Sequence, residues 1–94
     1  MGFNNLGNLL TTRGVQNLIE DDKNFYLFVI KSLSRYQECD WGDLCKEDKK
    51  LNDLAVKNGD DRILAKYCYN DEVSIYIITE WDRSATTILF PSEY

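Results

Sequence analysis

Near Gly59 the apolar residues change their period, and that change limits the folds open to this chain more than any other feature. Upstream, "KNFYLFVIKSLSRYQE" (23–38) sets Phe25, Phe28, Val29, Leu33 and Tyr36 at the spacing of one helical face. Tyr26, Leu27 and Ile30 widen that face, so this helix is expected to be the most buried. Downstream, "RILAKYCY" (62–69), "VSIYIITE" (73–80) and "ATTILFP" (85–91) are rich in Ile, Val, Tyr and Thr and alternate as strands do. The short polar links 70–72 and 81–84 make them a three-stranded antiparallel meander. Ile63, Ala65, Tyr67 and Tyr69 share one face of the first strand, and Val73, Ile75, Ile77 and Thr79 one face of the second.

The remaining segments complete an α+β layer fold. "FNNLGNLLTT" (3–12) reads as a candidate fourth, N-terminal edge strand. Thr11 or Thr12 offers the N-cap of a helix over 14–20, with Val15, Leu18 and Ile19 on one face, and Asp21 or Asp22 caps the helix that follows. The expected architecture is therefore a meander, with or without that fourth strand, packed on two to three helices. At 94 residues it is a single domain, 1–94.

The densest charge lies in "DWGDLCKEDKKLND" (40–53). Asp40 suits an N-cap, and Asp43 stands three residues on, where a capping box would place it. A helix over 43–57 follows, ending at Asn58-Gly59, a left-handed C-cap. Leu44, Leu51, Leu54 and Ala55 form its expected buried stripe, with Glu47 and Asp48 beside it and Asp53 facing water. Two acids next to an apolar stripe call for partners, so an ion pair of Glu47 or Asp48 with Arg62 or Arg83 is expected.

Charge also sorts the functions open to the chain. The net charge is −5 and the pI about 4.6. Residues 38–61 hold eight acids against four Lys. Such a chain does not neutralise phosphates, so no direct nucleic-acid binding is expected and a basic protein surface is the better partner. There is no His, which removes the commonest general base and most triads and leaves three cysteines too few for a structural zinc site. No metal and no cofactor is expected. Cys39, Cys45 and Cys68 are odd in number and lack a C-x-x-C spacing, which suits a reducing cytoplasmic setting. No apolar run has membrane-spanning length, the N-terminus lacks the pattern of a secretory signal, and Leu6 stands where a myristoylation signal has Ser or Thr.

Two clusters carry candidate chemistry. In "TEWDRSATT" (79–87), Trp81 stands among Glu80, Asp82 and Arg83 as a recognition anchor would, although a solvated turn uses the same residues. With the helix-start residues Asp40, Trp41, Asp43 and Asp53 they compose the candidate binding surface. Glu47 and Asp48 could do acid–base work in a small enzyme, but no nucleophile, phosphate loop or ligand set accompanies them. A binding protein without catalytic activity is the expectation. Tyr36, Tyr67, Tyr69 and Tyr76 suit packing rather than base stacking in so acidic a chain.

"DWGDL", "ED" (47–48), "ND" (52–53), "GDDRIL" (59–64) and "IYIITEWDRSATTILFPSEY" (75–94) together resemble a family of short bacterial proteins carried on plasmids and integrated elements. Its members are often labelled plasmid-related or restriction-modification subunits. The resemblance covers residues 40–94. Trp81 departs from the smaller residue expected there, and the turn 70–72 lacks a Gly. What the resemblance implies is a setting: a mobile-element protein that inhibits host defence, of the anti-CRISPR or antirestriction type, by covering the basic surface of a nucleic-acid-binding defence protein. A structural or accessory subunit of a plasmid-encoded complex is the alternative it allows.

Overall fold

The computed structural model describes residues 2–94 as an α+β fold of three helices and one four-stranded sheet. In chain order these are β1 (Asn8–Thr11), α1 (Arg13–Asp21), α2 (Lys23–Gln37), α3 (Lys46–Asn58), β2 (Ile63–Cys68), β3 (Ser74–Thr79) and β4 (Ala85–Leu89), then a 3₁₀ turn at Pro91–Glu93. The sheet order is β1-β4-β3-β2. β2, β3 and β4 form the expected antiparallel meander, and the fourth strand is present, running parallel to β4 at the sheet edge. Among the described residues no helix is long and apolar enough to cross a membrane.

Local chemistry explains the boundaries. Thr12 caps α1: its Oγ1 accepts from Val15 N–H and donates to Glu93 Oε1 at 2.6 Å, tying the last turn of the chain to the first helix. Asp22 caps α2, its carboxylate accepting from Asn24 and Phe25 N–H. Gly59 ends α3 in the left-handed conformation.

The core lies between the sheet and α1 and α2. Ile63, Ala65 and Tyr67 of β2, Ile75 and Ile77 of β3 and Ile88 of β4 meet Val15, Phe25, Val29 and Tyr36. The strand faces grouped by alternation are the covered ones. A directed chain of hydroxyls crosses this core. Thr86 Oγ1 donates to Leu6 O at 2.7 Å, so it accepts from Thr79 Oγ1 (2.8 Å), which in turn accepts from Tyr36 OH (2.6 Å). Burial pushes the Tyr36 phenol well above its usual pKa, so it stays a donor.

Two packing expectations fail. Tyr26, Leu27 and Ile30 do not widen the buried face of α2 but point to solvent, because the sheet accepts one face of the helix and Phe25, Val29, Ser32 and Tyr36 fill it. The buried stripe of α3 is turned by about a quarter-turn from the one expected: Asn52 and Ala55 are buried, while Leu51 is 63% and Leu54 53% exposed.

Candidate functional site

The acidic stretch 40–53 is first of all a cover for a sheet edge. β2 ends the sheet, and its even residues aim N–H and C=O groups away from β3. Lys66 donates to Trp41 O at 3.4 Å and accepts from Asp43 N–H at 2.8 Å, and Cys68 N–H donates to Asp43 Oδ2 at 3.1 Å. Asn52 closes the other end: its Nδ2 donates to Leu64 O at 2.8 Å and its Oδ1 accepts from Leu64 N–H at 3.4 Å. Five outward groups of β2 are thereby satisfied without a fifth strand.

This arrangement overturns the expected capping box. α3 begins at Lys46, with Cys45 at its N-cap and no side-chain cap bond. Asp40 turns back to α2, where Arg35 donates to it twice, at 2.7 and 3.2 Å, and Gly42 N–H donates to it at 3.2 Å. Arg35 holds the Asp40 carboxyl below the usual carboxylate range. Gly42 has φ 75°, and a Cβ there would stand 1.9 Å from Lys66 O, so only glycine lets the segment lie this close to β2. Trp41 is buried, and its indole N–H donates to Asp53 Oδ1 at 2.9 Å. Asp53 therefore does not simply face water. Asp40, Trp41, Asp43 and Asp53, expected as binding residues, all have internal partners, and Trp41 offers no surface to a ligand.

The 80–84 hairpin divides in the same way. Trp81 is 66% exposed, and Glu80 and Asp82 are exposed beside it. Arg83 instead sits at φ 62°, and its guanidinium donates to Ala55 O (2.8 Å), Asp61 O and Glu80 O. It closes the hairpin onto the end of α3, a charged donor meeting helix-terminal carbonyls.

The expected ion pair does not form. Neither Glu47 nor Asp48 bonds Arg62 or Arg83, and the one ion pair among the described residues is Arg35–Asp40. Arg83 is engaged by carbonyls, and Arg62 donates to Tyr94 OH and lies 5.8 Å over its ring. The two acids need no partner, because they stand exposed in the first turn of α3, where the helix dipole favours them.

What the turned helix leaves open is a groove of about 240 Å³ between α3 and β2. Leu44, Leu51 and Leu64 give it apolar walls, and Asp48, Asp61 and Arg62 its polar lining. Of these, Asp48 and Arg62 had been expected as one another's partners, and the structure brings them to one groove without pairing them. Leu44, Leu51, Asn52, Asp61 and Leu64 were missed as site residues. The "NGDDRI" turn held a signal for Asp61, because it returns the chain alongside α3.

No protein-family model, curated protein or solved structure matches this chain significantly. The functional reading rests on the chemistry of the chain itself.

Proposed function

We propose that this protein is a non-catalytic binding module that seats a basic side chain of a partner protein in the groove between α3 and β2. The observation that carries the reading is the lining: three leucines with Asp48 and Asp61, beside Asn52 and an Arg62 whose guanidinium is engaged by Tyr94. A Lys or Arg side chain has the matching build, an apolar stem and a cationic head. The exposed Leu51 and Leu54 extend the apolar wall along α3, and Trp81 at the neighbouring hairpin offers a second contact. Eight acids in 38–61 give this end of the molecule a negative field that steers a basic partner toward it.

The same chemistry supports a biological setting. A protein that covers a basic surface suits an inhibitor of a nucleic-acid-binding host-defence protein, the setting that the resemblance drawn from residues 40–94 implies. Catalysis by Glu47 and Asp48 has little to support it, since both stand exposed in the first turn of α3.

An arginine-rich peptide, titrated against the labelled protein, tests the groove. Methyl resonances of Leu44, Leu51 and Leu64 should shift first, and binding should weaken as salt rises, because exposed charges are screened over about 8–10 Å at physiological ionic strength. Leu51→Lys, which sets a cation in the groove, should abolish the shifts at Leu44 and Leu64. Shifts spread evenly over every acidic residue would overturn the groove reading. Affinity capture from a bacterial host then separates the settings: a defence nuclease supports inhibition, a plasmid-encoded protein an accessory role.

A further inference from the structure

The two edges of the sheet are treated differently. At β2 the outward backbone groups are engaged by Trp41, Asp43 and Asn52. At β1 they are not. Asn8 N–H donates to Ser84 O and Thr12 N–H to Ile88 O, so the even residues face β4. By alternation, the N–H and C=O of Leu9 and Thr11 point away from the sheet. All four β1 residues are exposed, and Leu9 and Leu10 are each 49% exposed. β1 is short, at four residues, but among the described residues it carries no charge, no Pro and no covering segment.

We infer that β1 pairs with β1 of a second copy of this chain, in antiparallel register about a two-fold axis at Leu10. Pairing the outward residues sets Leu9 against Thr11 of the second copy, and Thr11 against its Leu9. Each of these pairs exchanges two hydrogen bonds. Leu10 then meets its own counterpart as the close, non-hydrogen-bonded pair. Leu10 shares a face with Thr87, its register partner, and Thr87 lies beside Ile78, which lies beside Leu64. The row Leu10, Thr87, Ile78, Leu64 on the face away from α1 and α2 would thus continue into the second copy, making one eight-stranded sheet.

Charge selects the occupant. The chain carries net −5, so two copies meeting at α3 or at the hairpin bring acids against acids. Residues 2–12 contain no ionisable side chain, and two copies meet there without like-charge repulsion. The contact is also self-complementary, as a two-fold interface must be. A basic strand from another protein finds no carboxylate on β1 itself to select it, and the nearby Glu93 is engaged by Thr12.

Sedimentation across about a hundredfold range of concentration tests the inference, because mass action makes a weak dimer appear as concentration rises. The mass should climb from 11.0 kDa toward twice that value. The Leu9 and Thr11 amides should exchange with solvent more slowly as it does. Leu9→Pro removes an outward donor that the β1–β4 ladder does not use, which an edge strand tolerates. It should keep the fold and remain at 11.0 kDa throughout. Leu10→Lys, which sets two cations against each other at the axis, should do the same and stands in if the proline variant fails to fold. A wild-type protein that stays monomeric, one that runs on to species larger than a dimer, or a folded variant that still dimerises would each overturn the inference.

Discussion

Asn52 is the residue whose loss should reveal most about how this fold ends its sheet. Its amide makes two bonds to the backbone of Leu64, a strong one at 2.8 Å and a long one at 3.4 Å. Asn52→Ala removes both and leaves a part-buried C=O and N–H on β2 unpaired. Each net bond is worth roughly 0.5–1.5 kcal/mol, and an orphaned group costs about 1–3 kcal/mol. The long bond contributes little, so the expected loss is about 2 kcal/mol. For a domain of this size that is a fall in Tm of about 8–16 °C, or in urea midpoint of about 1–2 M. Against a total stability of about 5–14 kcal/mol the variant still folds.

Asn52→Asp adds a check on mechanism. An ionised carboxylate accepts from Leu64 N–H but faces Leu64 O without a proton to donate. The protonated carboxyl donates there, so its folded pKa rises above the unfolded value. The bond that this proton makes is present at low pH and lost as pH rises through the folded pKa. Urea melts over a pH series should therefore show the Asp variant recovering toward wild type in acid, while the Ala variant keeps the same deficit relative to wild type. If Asn52→Ala changes stability by less than about 0.5 kcal/mol, or both variants track together with pH, the edge-sealing argument is wrong.

Further outcomes follow from the same geometry. Thr79→Val interrupts the hydroxyl chain beneath the sheet and should cost about 1–3 kcal/mol by denaturant melt, with Thr86→Val additional to it only in part, since the two share one bond. Gly42→Ala adds a left-handed non-glycine residue and a clash with Lys66 O, a loss of about 3 kcal/mol or more. Arg35 lowers the Asp40 pKa, so their pair contributes stability above the usual carboxylate range and loses it as pH falls through the depressed value. The deficit of Asp40→Asn should accordingly shrink below about pH 4 in acid titrations followed by circular dichroism.

The strands were legible because Ile, Val, Thr and Tyr alternate with a period of two over short runs; which of their faces the helices cover was not, and it is the one holding Ile63, Ala65, Tyr67, Ile75 and Ile77. The caps at Thr12 and Asp22 were legible because they act within three residues. What was hidden acts at a distance. The expected capping box at Asp40 and Asp43 obeys a local rule, and β2, some 25 residues on, outbids it by offering backbone partners that would otherwise be orphaned. The same demand turns α3. A hydrophobic stripe of Leu51 and Leu54 favours one rotation, but neither can bond the Leu64 backbone, whereas the Asn52 amide both donates to and accepts from it, so Asn52 goes inside and these two leucines go out. A polar residue buried beside exposed leucines is the mark of a backbone edge needing a partner, and no window on the helix alone contains that edge.

This division of labour decides how the acidic stretch must be probed. Charge density alone treats Asp43 and Asp53 as equal to Glu47 and Asp48, yet the first two hold Cys68 N–H and the Trp41 indole, and the side chains of the second two bond none of the described residues. Reversing Asp43 and Asp53 to Lys would strip the buried Trp41 N–H of its acceptor, and any loss of binding would follow from a loosened edge. Glu47→Gln with Asp48→Asn removes two charges while costing the helix dipole only about 0.3–1 kcal/mol for each. If the field of α3 guides a basic partner, this pair should slow association and flatten its salt dependence, and, because Asp48 lines the groove, it should speed dissociation as well. Asp53→Asn, which keeps an acceptor for Trp41, should reproduce part of that slowing with the fold intact. An on-rate indifferent to all three neutralisations would mean that the acids serve the fold alone, and that the groove recognises its ligand through the leucines.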